Sequence, residues 1–301
     1  MASVQRLKVE ETEKGQRLDR YLAHHILSLS RSQAERLIGE RRVTVDGVFA
    51  KAGDRLQGGE VIVLSLPPEA PAQPAPEYLS LTILYEDEAL LAVDKPAGMV
   101  VHPAPGHKAG TLVNALLAQR PGLASVDQAG IVHRLDRYTS GLLLVAKTSD
   151  VRQALQRQFR RREVRKVYLA LAEGRLVPRE GRIEAPLGRD PRHRQRMAVV
   201  TGGRPASTAY QVREYFENHV LLEVRPETGR THQIRVHLSA IGHPVAGDHV
   251  YGHRVAPFGL SRCFLHAWRL GFTHPTKEEW LELEASLPLE LEQVLAELRR
   301  S

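Results

Sequence analysis

The sequence predicts an α+β protein in two parts, a small N-terminal helix-helix-hairpin module and a larger mixed domain. Three observations carry this expectation. Helical spacing near the start gives way to strict alternation before residue 66, the stretch PPEAPAQPAP at 67–76 interrupts all periodicity, and beyond it apolar strand-like runs alternate with amphipathic helical ones. With 301 residues, 42% of them hydrophobic and 26% charged, the chain can build one large core and a small appended one.

Leu18, Tyr21, Leu22 and Ile26 follow helical spacing, and Ser30 with Gln33 three residues later announces a second helix through a capping box. After Gly39, Val43 and Val45 alternate into Asp46-Gly47, a favoured two-residue hairpin turn, and VIVL at 61–64 supplies a further strand. The second helix carries Arg31 and Arg36 and runs into Arg41 and Arg42. This line of cations suits a polyanion, although a solvated basic face would look the same in isolation. Five prolines and no large apolar side chain at 67–76 neither propagate a helix nor fill a core. The expected boundaries are therefore a module at 1–66, a linker at 67–77 and a main domain at 78–301. In extended polyproline geometry the linker would span about 30 Å, which favours a large ligand touched at two places.

In the main domain LLAVDKP and GLLLVAKT read as strands, and Val151, Ala154, Leu155 and Phe159 share one face of a helix. Between them lies GIVHRLDRYTSGLLLVAKT at 130–148, a polar loop feeding an apolar strand. Asp136 stands there between Arg134 and Arg137. Nearby cations favour the ionised form of a carboxylate, which can serve as nucleophile or base. An anonymous aspartate between two arginines is more often a surface salt bridge. HRLD also differs by one residue from the catalytic loop of protein kinases, and no Asp-Phe-Gly or glycine-rich phosphate loop accompanies it.

The formal charge of +7 and the excess of arginine over lysine suit a phosphate-rich partner. No apolar run reaches the roughly 20 residues that span a bilayer, and the first residues lack a secretory pattern, so a cytoplasmic location without membrane contact is expected. Cys263 is the only cysteine, which excludes an intramolecular disulfide and multi-cysteine zinc or iron–sulfur sites. His232, His237, His243, His249, His253 and His266 crowd the C-terminal half, but no H-E-x-x-H spacing appears and Asp248 is the only acid between His232 and His253. No metal site is expected.

Two resemblances sharpen these readings. Arg17 to Leu64 is similar to the RNA-binding module named after ribosomal small-subunit protein four, which implies that Arg31, Arg36, Arg41 and Arg42 face folded RNA. HRLDRYTSGLLLVAKT resembles the central motif of the RNA pseudouridine synthases that include the ribosomal large-subunit enzymes. The likeness continues through DKPAGMVVHPAPGHKAGTLVNALL at 94–117, RKVYLALAEG at 165–174, residues 194–199 with GRPASTAYQV, and ETGRTHQIRVHLSAIGHPVAGDHVYG at 227–252. It covers essentially the whole chain, and it implies a largely antiparallel mixed sheet and a cofactor-independent isomerisation of uridine.

The resemblance makes Asp136 the catalytic carboxylate. Tyr168 lies in an alternating stretch, opposite Val167, Leu169 and Leu171, and the resemblance sets it against the target uracil; pattern alone would read a half-buried core tyrosine. THQIRVHLSAIGHP reads as a short helix with Thr231 as N-cap and with Ile234 and Leu238 on one face. There the resemblance pairs Arg235 with Asp136 and lines the uracil pocket with Ile234 and Leu238. Arg134, with His133 assisting, is expected to contact RNA from which the uridine has been flipped. Within the family, His102-Pro103 and TLVNALL at 111–117 are most similar to the D-type large-subunit enzymes, with C-type or transfer-RNA enzymes and a non-catalytic ribosome-assembly factor as alternatives. The implied partner is large-subunit ribosomal RNA or a ribosomal precursor particle, met by a monomer.

Overall fold

The computed structural model describes residues 3–26, 29–66, 74–104, 107–193, 196–252 and 257–300. The chain divides into two units, 1–72 and 73–301. Residues 67–73 of the expected linker, Arg194 and Gln195 of the matched 194–199 segment, and His253 lie outside the described residues.

In the N-terminal unit, β1 (Ser3–Lys8) precedes α1 (Leu18–His25) and α2 (Arg31–Gly39); β2 (Val43–Val45), β3 (Val48–Phe49) and β4 (Val61–Leu66) follow. The strands form one antiparallel sheet in the order β1-β4-β2-β3. Leu18, Tyr21 and Leu22 of α1 are buried with Ala34, Leu37 and Ile38 of α2 against Val43, Ile62 and Leu64. Ser30 caps α2, its hydroxyl accepting from Gln33 N–H at 3.3 Å while Gln33 Oε1 accepts from Ser30 N–H at 2.7 Å. Asp46 and Gly47 both have positive φ, as the two-residue turn between β2 and β3 requires. Strand β1 was not foreseen. It pairs with β4 at the sheet edge and leaves Val4 60% exposed, so its sequence alternates only weakly.

The basic line on this unit is partly neutralised. Arg31 donates through Nε to the fully buried carboxylate of Asp19 at 2.8 Å, tying α2 to α1. Hydrogen bonds from Arg17 hold that carboxyl well below the usual range, against its burial and with help from Arg31. Arg36 and Arg42 lie 3.7 and 3.2 Å from Glu40, and Arg41 sits over the Phe49 ring at 5.9 Å.

The larger unit is built on a nine-stranded mixed sheet. In chain order it contains β5 (Thr82–Glu86), β6 (Leu90–Lys95), α3 (Leu112–Gln119), β7 (Ser140–Ala146), α4 (Ser149–Arg161), β8 (Arg165–Glu173) and β9 (Glu180–Glu184). A small pair, β10 (Leu187–Arg189) and β11 (Met197–Val199), precedes β12 (Ser207–Tyr215), β13 (His219–Pro226), α5 (Gln233–Ala240), β14 (Leu265–Thr273), β15 (Trp280–Glu284) and α6 (Leu289–Leu298). The sheet order is β5-β6-β7-β14-β8-β13-β12-β9, with β15 also on β14. Among the described strands only β7 and β14 pair in parallel.

The uninterrupted apolar runs of β6 and β7 follow from burial on both faces. Leu91, Val93, Leu143 and Val145 pack with α3, whereas Leu90, Ala92, Leu142 and Leu144 pack with Val151 and Leu155 of α4. At the start of β7, Gly141 has φ +110°, and a Cβ there would fall 2.3 Å from the carbonyl oxygen of Ala267. Only glycine lets β14 come this close to the strand that follows the Asp136 loop.

Three histidines of the C-terminal half serve the fold. His237 donates to Ala185 O and accepts from the Thr208 hydroxyl, His266 donates to Ala285 O and accepts from the Ser140 hydroxyl, and His243 donates to Glu173 O. Among the described residues no three metal-binding side chains cluster, and no helix is long and apolar enough to cross a membrane. Cys263 is buried in the core, which pushes its thiol up to about 12.

Candidate active site

The loop that leads into β7, the start of β8, the turn after β13 and the first turn of α5 together line a cleft of about 500 Å³. Asp136 lies in the loop, its side chain 19% exposed, with Oδ2 3.7 Å from Arg235 Nη1. Other groups fix the loop's backbone. Asp136 O accepts from Thr139 N–H at 3.1 Å, and Arg137 O accepts from Gly98 N–H at 2.8 Å and from Lys95 Nζ at 3.2 Å. Lys95 is fully buried and also donates to Pro96 O and Met99 O; burial, with repulsion from Arg262, pulls its pKa down to about 7 against attraction from Asp136 and Asp94. Arg262 donates to Tyr138 O at 3.2 Å.

Arg235 is buried, not a surface residue of its helix. Its Nε and Nη2 donate to Asp248 at 2.6 and 2.8 Å, and its guanidinium stands 5.0 Å over the Tyr251 ring. Burial disfavours its charge, but hydrogen bonding and attraction to Asp248 outweigh that and raise its pKa. Burial alone would raise the Asp248 carboxyl, yet Arg235 and the amides of Val250 and Tyr251 bring it below its ordinary value. The tight pair is therefore Arg235–Asp248, and Asp136 meets the outer edge of the same guanidinium.

Tyr168, on β8, lines the cleft and packs against the core on both sides of the sheet's centre. Burial, reinforced by the nearby Asp136, raises its pKa and keeps the phenol protonated. Ile234 and Leu265 add apolar wall. Leu238 does not reach the cleft: one turn beyond Ile234 it is fully buried among Ala170, Ala172, Leu222 and Val245. Thr231 is not the N-cap of α5. His232 takes that position with φ +57° and no side-chain capping bond, while Gln233 Oε1 accepts from the Thr228 hydroxyl at 2.6 Å and from Arg230 N–H at 3.0 Å.

Arg134 is exposed at the cleft wall and forms no hydrogen bond or ion pair among the described residues. Arg160, Arg162, Lys166 and Arg230 also line the cleft. Sequence reasoning missed them because a basic residue on a helix end or strand edge carries no signal of its own. Burial, with repulsion from Arg162, lowers Lys166 to about 8.

His133 also lines the cleft. Its ring stacks on Phe159 at 4.7 Å, its Nε2 accepts from Leu144 N–H at 3.0 Å, and burial drives its pKa down to about 3. His266 is lowered to about 4, again mainly by burial. With unfolded values near 6.5, both rings refuse in the native state a proton that the unfolded chain accepts, so stability should fall as pH drops from about 6.5 towards 4. Thermal melts across that range should show the fall, and His133→Gln, which keeps an acceptor, should flatten it; equal slopes in both proteins would refute the assignment.

A carboxylate beside a buried guanidinium, a neutral phenol, an apolar wall and a cationic rim can receive a planar heterocycle attached to a polyanionic backbone. Residues 89–240 match the family described as RNA pseudouridylate synthase, and 16–62 match the S4 domain. The chain is 50% identical over 293 residues to an RNA pseudouridine synthase of Chloroflexus aurantiacus, covering 97% of this chain and 92% of that protein. It is 46% identical over 302 residues to the ribosomal large subunit pseudouridine synthase D of Nitrosomonas europaea, covering 97% and 87%. Among solved structures, human RNA pseudouridylate synthase domain containing 4 superposes with a TM-score of 0.59 at 29% identity, covering 72% of this chain and 93% of that one.

Proposed function

This chain belongs to the RNA pseudouridylate synthase family and isomerises uridine in RNA, and from that premise we propose large-subunit ribosomal RNA as its substrate and Asp136 as the residue on which the reaction turns. The observation that carries the ribosomal reading is the similarity, over nearly the whole of both chains, to a D-type large-subunit enzyme.

In this reading the uridine leaves the RNA stack, an unstacking cost of a few kcal/mol being offset by contacts in the cleft. Its uracil lies against Tyr168 and Ile234, while Arg134 and the cations around it hold the backbone. The N1–C1′ bond breaks, and the Asp136 carboxylate meets the positive charge that develops at the sugar. The uracil turns, C5 bonds to C1′, a proton leaves C5 and one is taken up at the freed N1, so atoms balance without an oxidant or a cofactor. Arg235 orients the carboxylate. The protonated Tyr168 stacks and offers a hydrogen bond, and its raised pKa suits that role. In this reading the chain acts as a monomer in the cytoplasm.

The test is pseudouridine mapping on ribosomal and transfer RNA from cells lacking this chain, rescued with wild type or with Asp136→Asn. Loss of discrete large-subunit sites that only wild type restores is the expected result. Loss of transfer-RNA sites alone would move the substrate elsewhere.

A further inference from the structure

The loop carrying Asp136 leaves almost none of its polar groups idle. Asp136 O accepts from Thr139 N–H, Arg137 O from Lys95 and Gly98, and Tyr138 O from Arg262; the Ser140 hydroxyl donates to His266. Thr139 is the exception. Its residue is 2% exposed, and its hydroxyl is buried with no hydrogen-bond partner among the described residues. A buried hydroxyl without a partner destabilises a fold, and valine would fill the same space without that cost. One other buried side-chain group among the described residues shares this condition, Nη2 of Arg262, but Arg262 lies outside the cleft that Thr139 lines.

We propose that the Thr139 hydroxyl is held for the flipped uridine and hydrogen-bonds it on the side that faces Asp136. The hydroxyl lies three residues after the carboxylate, within one hydrogen-bonded turn whose carbonyls are gripped by buried Lys95 and Arg262. Both residues line the same cleft, so a turn of the Thr139 side chain would bring its hydroxyl to the nucleotide that meets Asp136. Uridine offers carbonyl oxygens and ribose hydroxyls, and a threonine hydroxyl can donate to the first and either donate to or accept from the second. Because the described residues give this group no partner, the interaction is gained with RNA in place and is not exchanged for a bond with any of them. Thr139 on this view is a substrate-binding group of the reaction centre. The inference rests on uridine isomerisation, not on the ribosomal target.

The experiment compares wild type, Thr139→Val and Thr139→Ser in single-turnover reactions on total RNA from cells lacking this chain. That RNA contains whatever sites the enzyme modifies, so a wrong ribosomal assignment would show as modification of other RNA and leave the comparison intact. Thr139→Val should slow the reaction by about 10- to 100-fold, the usual consequence of losing one well-placed hydrogen bond, with its melting temperature unchanged or raised. Thr139→Ser, which keeps the hydroxyl, should react like wild type. A Thr139→Val enzyme as fast as wild type would overturn the proposal, as would a loss of rate shared by both variants or accompanied by a fall in melting temperature.

Discussion

Asp136→Asn should abolish pseudouridine formation, by at least about 10⁴-fold in a single-turnover rate, while leaving the fold and RNA affinity nearly intact. The size of the loss follows from the proposed role: a neutral amide can neither attack the sugar nor balance positive charge there. The sparing of the fold follows from the geometry. Arg235 holds its short bonds with Asp248 at 2.6 and 2.8 Å and meets Asp136 only at 3.7 Å, so the buried guanidinium remains paired in the variant. Asparagine also matches the shape of the side chain it replaces. Rate, RNA affinity and melting temperature measured on one preparation test the claim. A variant that retained a tenth of the wild-type rate would remove Asp136 from the chemistry.

Asp248→Ala should have the opposite profile, with a large loss of stability and activity falling with it. The substitution strands a guanidinium that is 5% exposed, and it also removes the acceptor used by Val250 N–H and Tyr251 N–H. Breaking a buried pair from one side costs about 3–5 kcal/mol, which for a unit of this size lowers the melting temperature by about 10 °C. The Asp248→Leu/Arg235→Met double variant separates structure from chemistry. With both charges gone much of the stability should return, but activity should not, because Asp136 has then lost its only positioning cation within 4 Å among the described residues. Recovery of activity along with stability would reduce Arg235 to a packing role.

The contrast between these two aspartates shows what a linear sequence reveals. Asp136 is conspicuous because arginines flank it and an apolar strand follows, whereas Asp248 is a single acid in a histidine-rich stretch without period, and only the fold brings it to Arg235. Elements announced by local chemistry are equally legible: the Ser30–Gln33 box, the Asp46-Gly47 turn and the doubly buried runs of β6 and β7 each carry their cause within a few residues. The insertion of β14 between β7 and β8 has no such local cause. Periodicity also reports direction without depth. Ile234 and Leu238 share a helix face, but one borders the cleft and the other lies in the core beneath. His133 and Arg134 are consecutive in a loop, where no period exists to tell which side chain turns inward. Thr139, finally, looks like any loop threonine until its surroundings show that its hydroxyl has no partner among the described residues.

The parallel pairing of β7 with β14 also bears on how the protein is made. Ser140 and His266 hydrogen-bond although 126 positions apart in the sequence, and Ala267 packs on Gly141 within reach of the Asp136 loop. During synthesis the segment holding Asp136 leaves the ribosome long before the strand that braces it exists. Contacts so distant in sequence close late, because the entropy of the long loop is lost before they form. A partly synthesised chain can therefore complete its N-terminal RNA-binding unit, whose strands pair only within residues 3–66, while its catalytic cleft is still unassembled.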